Sequence, residues 1–85
     1  MILTTDKGAE YNVSHADASG FQFTALVIDA ASASRMVSNF EEASWFMVLY
    51  PETDEIKRYV GFNRMLTFHR YSDTMYLITL ERSDA

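Results

Sequence analysis

Between Ala33 and Phe40 the apolar residues Ala33, Met36, Val37 and Phe40 fall at i, i+3, i+4 and i+7, and no other stretch of the chain carries a comparable stripe. One such stripe predicts one amphipathic helix, with Ser34, Arg35, Ser38 and Asn39 on its wetter face. Asp29 stands where an N-cap belongs, its carboxylate available to the first free backbone N–H groups. A lone helix must bury its stripe on something else. The rest of the chain alternates with the period of two that belongs to strands, so the partner is a sheet.

Ile2 to Thr5 and Ala9 to Ser14 flank Asp6-Lys7-Gly8, which predicts an N-terminal hairpin turning on the glycine. After a polar stretch, Ala16 to Gly20, the run Phe21 to Ile28 reads as a third strand. Trp45 to Tyr50 follows the helix as an aromatic and β-branched strand closed by Pro51, which has no N–H to give a ladder. Ile56 to Val60, Arg64 to Arg70 and Met75 to Leu80 complete a C-terminal meander, and Gly61 marks a bulge or sharp bend within it. The expected class is α+β: a strongly curved, mainly antiparallel sheet of about six or seven strands, or two packed halves, holding one helix, in the order βββαββββ. Phe23, Val27, Met36, Phe40, Phe46, Val48, Leu66, Phe68 and Ile78 form the expected core, each on the apolar side of a periodic segment.

The chain has 85 residues and neither a proline- and glycine-rich linker nor a repeat, so residues 1–85 are read as a single domain. No run approaches the roughly 18–20 apolar residues of a membrane span, and the start lacks a basic and apolar leader, so a cytoplasmic protein with no membrane partner is expected. A net charge of -5 repels phosphate backbones and disfavours nucleic acid as a partner. The absence of cysteine removes thiolate metal sites and cysteine nucleophiles.

Catalytic constellations are sparse. His15 and His69 have no neighbouring imidazole, and His15-Ala16-Asp17 offers two ligands where a stable site takes more, so no metal is expected. The serines, among them Ser14, Ser32, Ser72 and Ser83, stand in no strained nucleophile elbow. Glu41-Glu42 and Glu52, Asp54, Glu55 lack the spacing of a calcium loop and read as solvated charge. Gly8, Gly20 and Gly61 build no phosphate-cradling loop, and no cofactor is expected. Lys57, Arg58, Arg64, Arg70 and Arg82 interleave with Tyr59, Phe62, Phe68, Tyr71 and Tyr76, a pattern that suits single-strand stacking, although cross-strand ion pairs with Glu52, Asp54, Glu55 and Glu81 explain it as well.

The short Leu-Thr-Thr start, the helix ending in Phe40-Glu41-Glu42, Tyr59-Val60-Gly61-Phe62 and the terminal Leu77-Ile78-Thr79-Leu80 together resemble small proteins of bacteriophage and prophage structural modules. The resemblance implies a virion-associated or assembly accessory role without enzyme chemistry. The leading expectation is therefore a non-enzymatic protein interaction or assembly module that self-associates as a dimer through a sheet edge or an exposed aromatic patch, with Trp45 to Tyr50 the candidate segment; the competing account makes that segment simply the central strand of the monomer. Trp45, Phe46, Tyr50, Tyr59 and Phe62 are its candidate interaction residues. The rivals are a small-ligand or enzymatic domain with a pocket between helix and sheet, and a single-stranded nucleic-acid module.

Overall fold

The computed structural model describes residues 1–82. Along the chain run β1 (Ile2–Thr5), β2 (Glu10–Ser19), β3 (Gln22–Val27), α1 (Ala30–Asn39), a 3-10 turn (Phe40–Glu42), β4 (Trp45–Tyr50), β5 (Glu55–Val60), β6 (Phe62–Arg70) and β7 (Tyr76–Arg82). This α+β composition and the element order agree with the sequence reading. The seven strands form a single antiparallel sheet ordered β5-β4-β1-β2-β3-β7-β6.

The expected strong curvature is corrected. The sheet is open, with β5 and β6 as its two unjoined edges, and it is not strongly curled. The change of direction is local and falls in β2. Its first residues pair with β1 through Asn12, its later ones pair with β3 from Val13, and the register slips between Val13 and His15. A bulge of this kind bends a strand and increases its twist, letting one strand serve two half-sheets. One half is β5-β4-β1 with the start of β2; the other is the rest of β2 with β3, β7 and β6.

The expected meander is also corrected at Gly61. β5 pairs with β4 and β6 pairs with β7, so one residue separates strands that lie at opposite ends of the hydrogen-bonded order. Gly61 has φ +83°, a conformation open to glycine and strained for other residues, and its N–H donates to the Ser44 carbonyl. The two halves therefore come together at this corner. On a flat sheet β3 and β4 would lie three strand spacings apart, roughly 14 Å. Instead the Phe23 and Phe46 rings stack with centroids 5.6 Å apart.

Ala16 to Ser19, expected as a polar loop, belongs to β2, which continues to a two-residue turn of Gly20 and Phe21. Only the glycine there has positive φ, the pattern of a II′ hairpin. Alanine and aspartate are weak strand formers, which conceals the strand in the sequence.

The helix lies across β2, β3 and β7, and the 3-10 turn reaches β6. Asp29 caps it as expected, its Oδ1 accepting the Ser32 N–H at 2.6 Å, and Asn12 Nδ2 donates to Oδ2 at 3.2 Å. These bonds, the Ser32 backbone bond foremost, hold the Asp29 carboxyl below its ordinary range. Ser32 itself is buried and accepts from the Asn12 N–H at 3.3 Å. The helix start is thus tied to β2 beside the residue where that strand changes partners.

Phe23, Val27, Met36, Phe40, Phe46, Val48 and Ile78 are buried as expected, whereas Leu66 and Phe68 are 42% and 45% exposed. The cause is the edge position of β6 and a second register slip between Met65 and Thr67, which leaves Leu66 unpaired, while Phe68 stacks on Tyr76 at the rim. Phe40→Ala should lower stability by about 3–5 kcal/mol in chemical denaturation, the usual cost of emptying a buried phenyl site. Gly61→Ala, with no atom near the added methyl, should cost about 1–2 kcal/mol through backbone strain alone.

Candidate interaction surface

The expected interaction residues separate into two groups. Phe46, Tyr59 and Phe62 are buried, and they surround Phe23, with Tyr59 and Phe62 at centroid distances of 4.8 and 5.7 Å from it. They form the seam between the half-sheets, so in the folded chain a partner cannot reach them. Tyr50 is half-buried and adds the polar part of the seam. Its hydroxyl donates to the Ala16 carbonyl, and Tyr59 donates in turn to the Tyr50 oxygen. This relay runs from β5 and β4 in one half to β2 in the other. Burial, then the bond to Tyr50, pushes the Tyr59 hydroxyl well above its ordinary pKa of 10.0.

Trp45 alone of the five lies on the opposite face of β4. Along that strand Phe46, Val48 and Tyr50 face inward, and Trp45, Met47 and Leu49 face outward. Leu49 stands directly opposite Ile56 of β5, and one step along the β1 register Ile2 stands beside Leu49. These three are 44%, 48% and 64% exposed for Ile2, Leu49 and Ile56, a row of aliphatic side chains in water across three neighbouring strands. Trp45 pairs with exposed Val60 in a parallel row, and Arg58 stacks over the Trp45 ring at 5.0 Å. Leu49 lies within Trp45 to Tyr50, the segment expected to self-associate, which as β4 is paired on both sides by β1 and β5 and offers no free edge, whereas Ile2, Ile56 and Val60 were not among the expected interaction residues. The alternation in β4 would have revealed Leu49 once Phe46 and Val48 were assigned to the interior.

The basic residues do not gather on one face. Lys57 lies over Tyr50 and Arg82 over Phe62, at 5.3 and 5.1 Å; Arg70 donates to the Ser72 and Asp73 carbonyls. Arg64 binds Glu81 at 2.8 Å, the one ion pair among the described residues. With Tyr59 and Phe62 inside, the aromatic platform needed for base stacking is not assembled from them.

His15 and His69 share the outer face of the other half-sheet at the two ends of the row His15, Leu26, Leu77, His69. Three strand spacings, roughly 14 Å, separate them, too far to hold one ion. Among the described residues no three His, Asp or Glu side chains gather as a metal-binding group. Ser14 donates to Met75 Sδ and Ser32 belongs to the helix cap; Ser83 lies outside the described residues. The space between helix and sheet is filled by Ser32, Ala33, Met36 and Phe40. Surface depressions border both ends of the helix, one lined by Tyr11, Asn39 and Ala43 beside the β1 to β2 turn and one by Ile28, Ala30 and Tyr76, and another follows the β4 to β5 turn near His15 and Glu52.

No helix among the described residues is long and apolar enough to cross a membrane. None of the family models, curated proteins or solved structures compared with the chain matches it. The class is therefore stated from the fold itself: a two-part antiparallel sheet with one helix, carrying an apolar outer face on β1, β4 and β5.

Because Tyr59 has a folded-state pKa above its unfolded value of about 10, the unfolded chain loses that proton first as pH rises. Stability should hold up to about pH 10 and fall above it, and Tyr59→Phe should flatten that fall in melting temperature between pH 9 and 11. Tyr50→Phe should cost about 1–3 kcal/mol and exceed the loss in Tyr59→Phe, since it strands both the Ala16 carbonyl and the Tyr59 hydroxyl.

Proposed function

We propose that the chain is a non-enzymatic interaction or assembly module that docks through the outer face of β1, β4 and β5. The observation carrying this reading is the exposed row Ile2, Leu49 and Ile56 beside the free edge of β5. Contiguous apolar surface framed by charge costs solvation free energy that a partner recovers on association, and Trp and Arg side by side, as Trp45 and Arg58 are here, belong to the residue types enriched at interfaces. The buried residues Phe46, Tyr59 and Phe62 serve this function indirectly, by fixing the half-sheet whose other side is the docking face. The assembly setting, with a cytoplasmic or virion-associated location, rests on the sequence resemblance to phage structural-module proteins.

The test is a photo-crosslinking side chain placed at Leu49 and, separately, at Thr24, which lies half-buried on the outer face of the other half-sheet. In the native host Leu49 should give a discrete adduct and Thr24 none. Equal labelling from both positions would contradict a dedicated face. Leu49→Glu should abolish the adduct formed from a crosslinker at Ile2 while leaving the melting temperature within a few degrees, because the side chain already stands in water.

A further inference from the structure

The two edges of the sheet are built differently. β6 carries two register slips, between Phe62 and Arg64 and between Met65 and Thr67, which twist an edge away from further pairing. β5 pairs with β4 over six consecutive residues without a slip, and among the described residues no strand lies on its other side. It presents a regular row of backbone N–H and C=O groups, the usual template for strand addition.

The charges along this edge and in the turn just before it have a particular order. Asp54 and Glu55 precede Ile56, and Lys57 and Arg58 follow it, so the sequence is two acids, one aliphatic residue and two bases. None of the four charges belongs to an ion pair among the described residues, where Arg64 and Glu81 form the one such pair. The two cations rest over Tyr50 and Trp45, which orders them without neutralising them.

We propose that a second copy of this chain docks on β5 by antiparallel two-fold pairing centred on Ile56, a proposal that rests on reading the outer face of β1, β4 and β5 as an interaction surface. In that register Ile56 meets Ile56 of the second copy. Glu55 lies opposite Lys57 of the second copy, a pair that occurs twice by symmetry, while Asp54 stands in the turn before β5 with φ +59° and takes no ladder position. Shifting the centre to Glu55, Lys57 or Arg58 puts like charge against like, and a parallel arrangement does so along the whole strand. The same pairing extends the outer apolar row from Ile2, Leu49 and Ile56 of one copy into Ile56, Leu49 and Ile2 of the other, across six strands. It also occupies the regular edge of both copies, leaving the bulged β6 edges outside, so the assembly closes at two.

The experiment uses the full chain and a charge exchange. Light scattering coupled to size exclusion should give twice the 9.7 kDa chain mass for the unaltered protein. Glu55→Lys and Lys57→Glu should each lose the dimer, because the two copies then oppose like charges. An equimolar mixture of the two variants should regain it as a mixed dimer, which also shows that both variants fold. A second readout exploits the absence of cysteine: Ile56→Cys should form an intermolecular disulfide under mild oxidation, because residues facing each other across paired strands stand within disulfide reach. A mass that stays near 9.7 kDa at millimolar concentration overturns self-pairing, and a Leu49 adduct to a different protein would then leave the interaction reading intact. A dimer that survives both single substitutions, or a mixture that does not recover it, overturns the Ile56 register.

Discussion

The stacking of Phe23 against Phe46, closed by Tyr59 and Phe62, is the contact on which the rest of the structure depends. Phe23 belongs to one half-sheet and Phe46 and Tyr59 to the other, so the cluster is the place where two otherwise separate ribbons acquire a common core. A sheet of this size with one ten-residue helix cannot cover both of its faces. Folding the halves together at β2 buries one face of each, and the helix covers what remains open across β2, β3 and β7.

That arrangement has a geometric price set at Gly61, where strands bound for opposite edges are joined by one residue. The tyrosine relay adds direction to the packing. Apolar rings tolerate sliding, whereas a hydroxyl chain from Tyr59 through Tyr50 to the Ala16 carbonyl fixes one relative position of the halves. Polar order inside the seam and apolar exposure outside it have the same origin. Because β4 alternates, the register that puts Phe46 and Val48 in the core puts Trp45, Met47 and Leu49 on the outer face.

Local features were legible in the sequence. The stripe from Ala33 to Phe40, the Asp29 cap and the hairpin about Gly8 depend on neighbours a few residues away, and each has the position its periodicity predicts. What a glycine does to a strand depends on distant packing. Nothing beside Gly61 tells whether β6 returns along β5 or crosses to β7, because the deciding partner, Phe23, lies far back in the chain. For the same reason Leu66 and Phe68 read as core: their alternation is regular, and the bulge that places β6 at a rim is a tertiary feature. On the outer face of β4, Trp45 was visible from composition, while Phe46, Tyr59 and Phe62 were drawn inward by the seam. The charge reversal about Ile56 is plain in the sequence and acquires meaning only when β5 is known to be an edge.

The most direct test of this account is a nuclear Overhauser measurement on protein labelled at its aromatic rings. Cross-peaks from the Phe23 ring to Phe46, Tyr59 and Phe62 are predicted, together with a slowly exchanging Tyr59 hydroxyl proton. A Phe23 ring that shows contacts only to its own half-sheet, through residues such as Leu80 and Ile78, would mean that the halves do not pack on each other and would contradict the account.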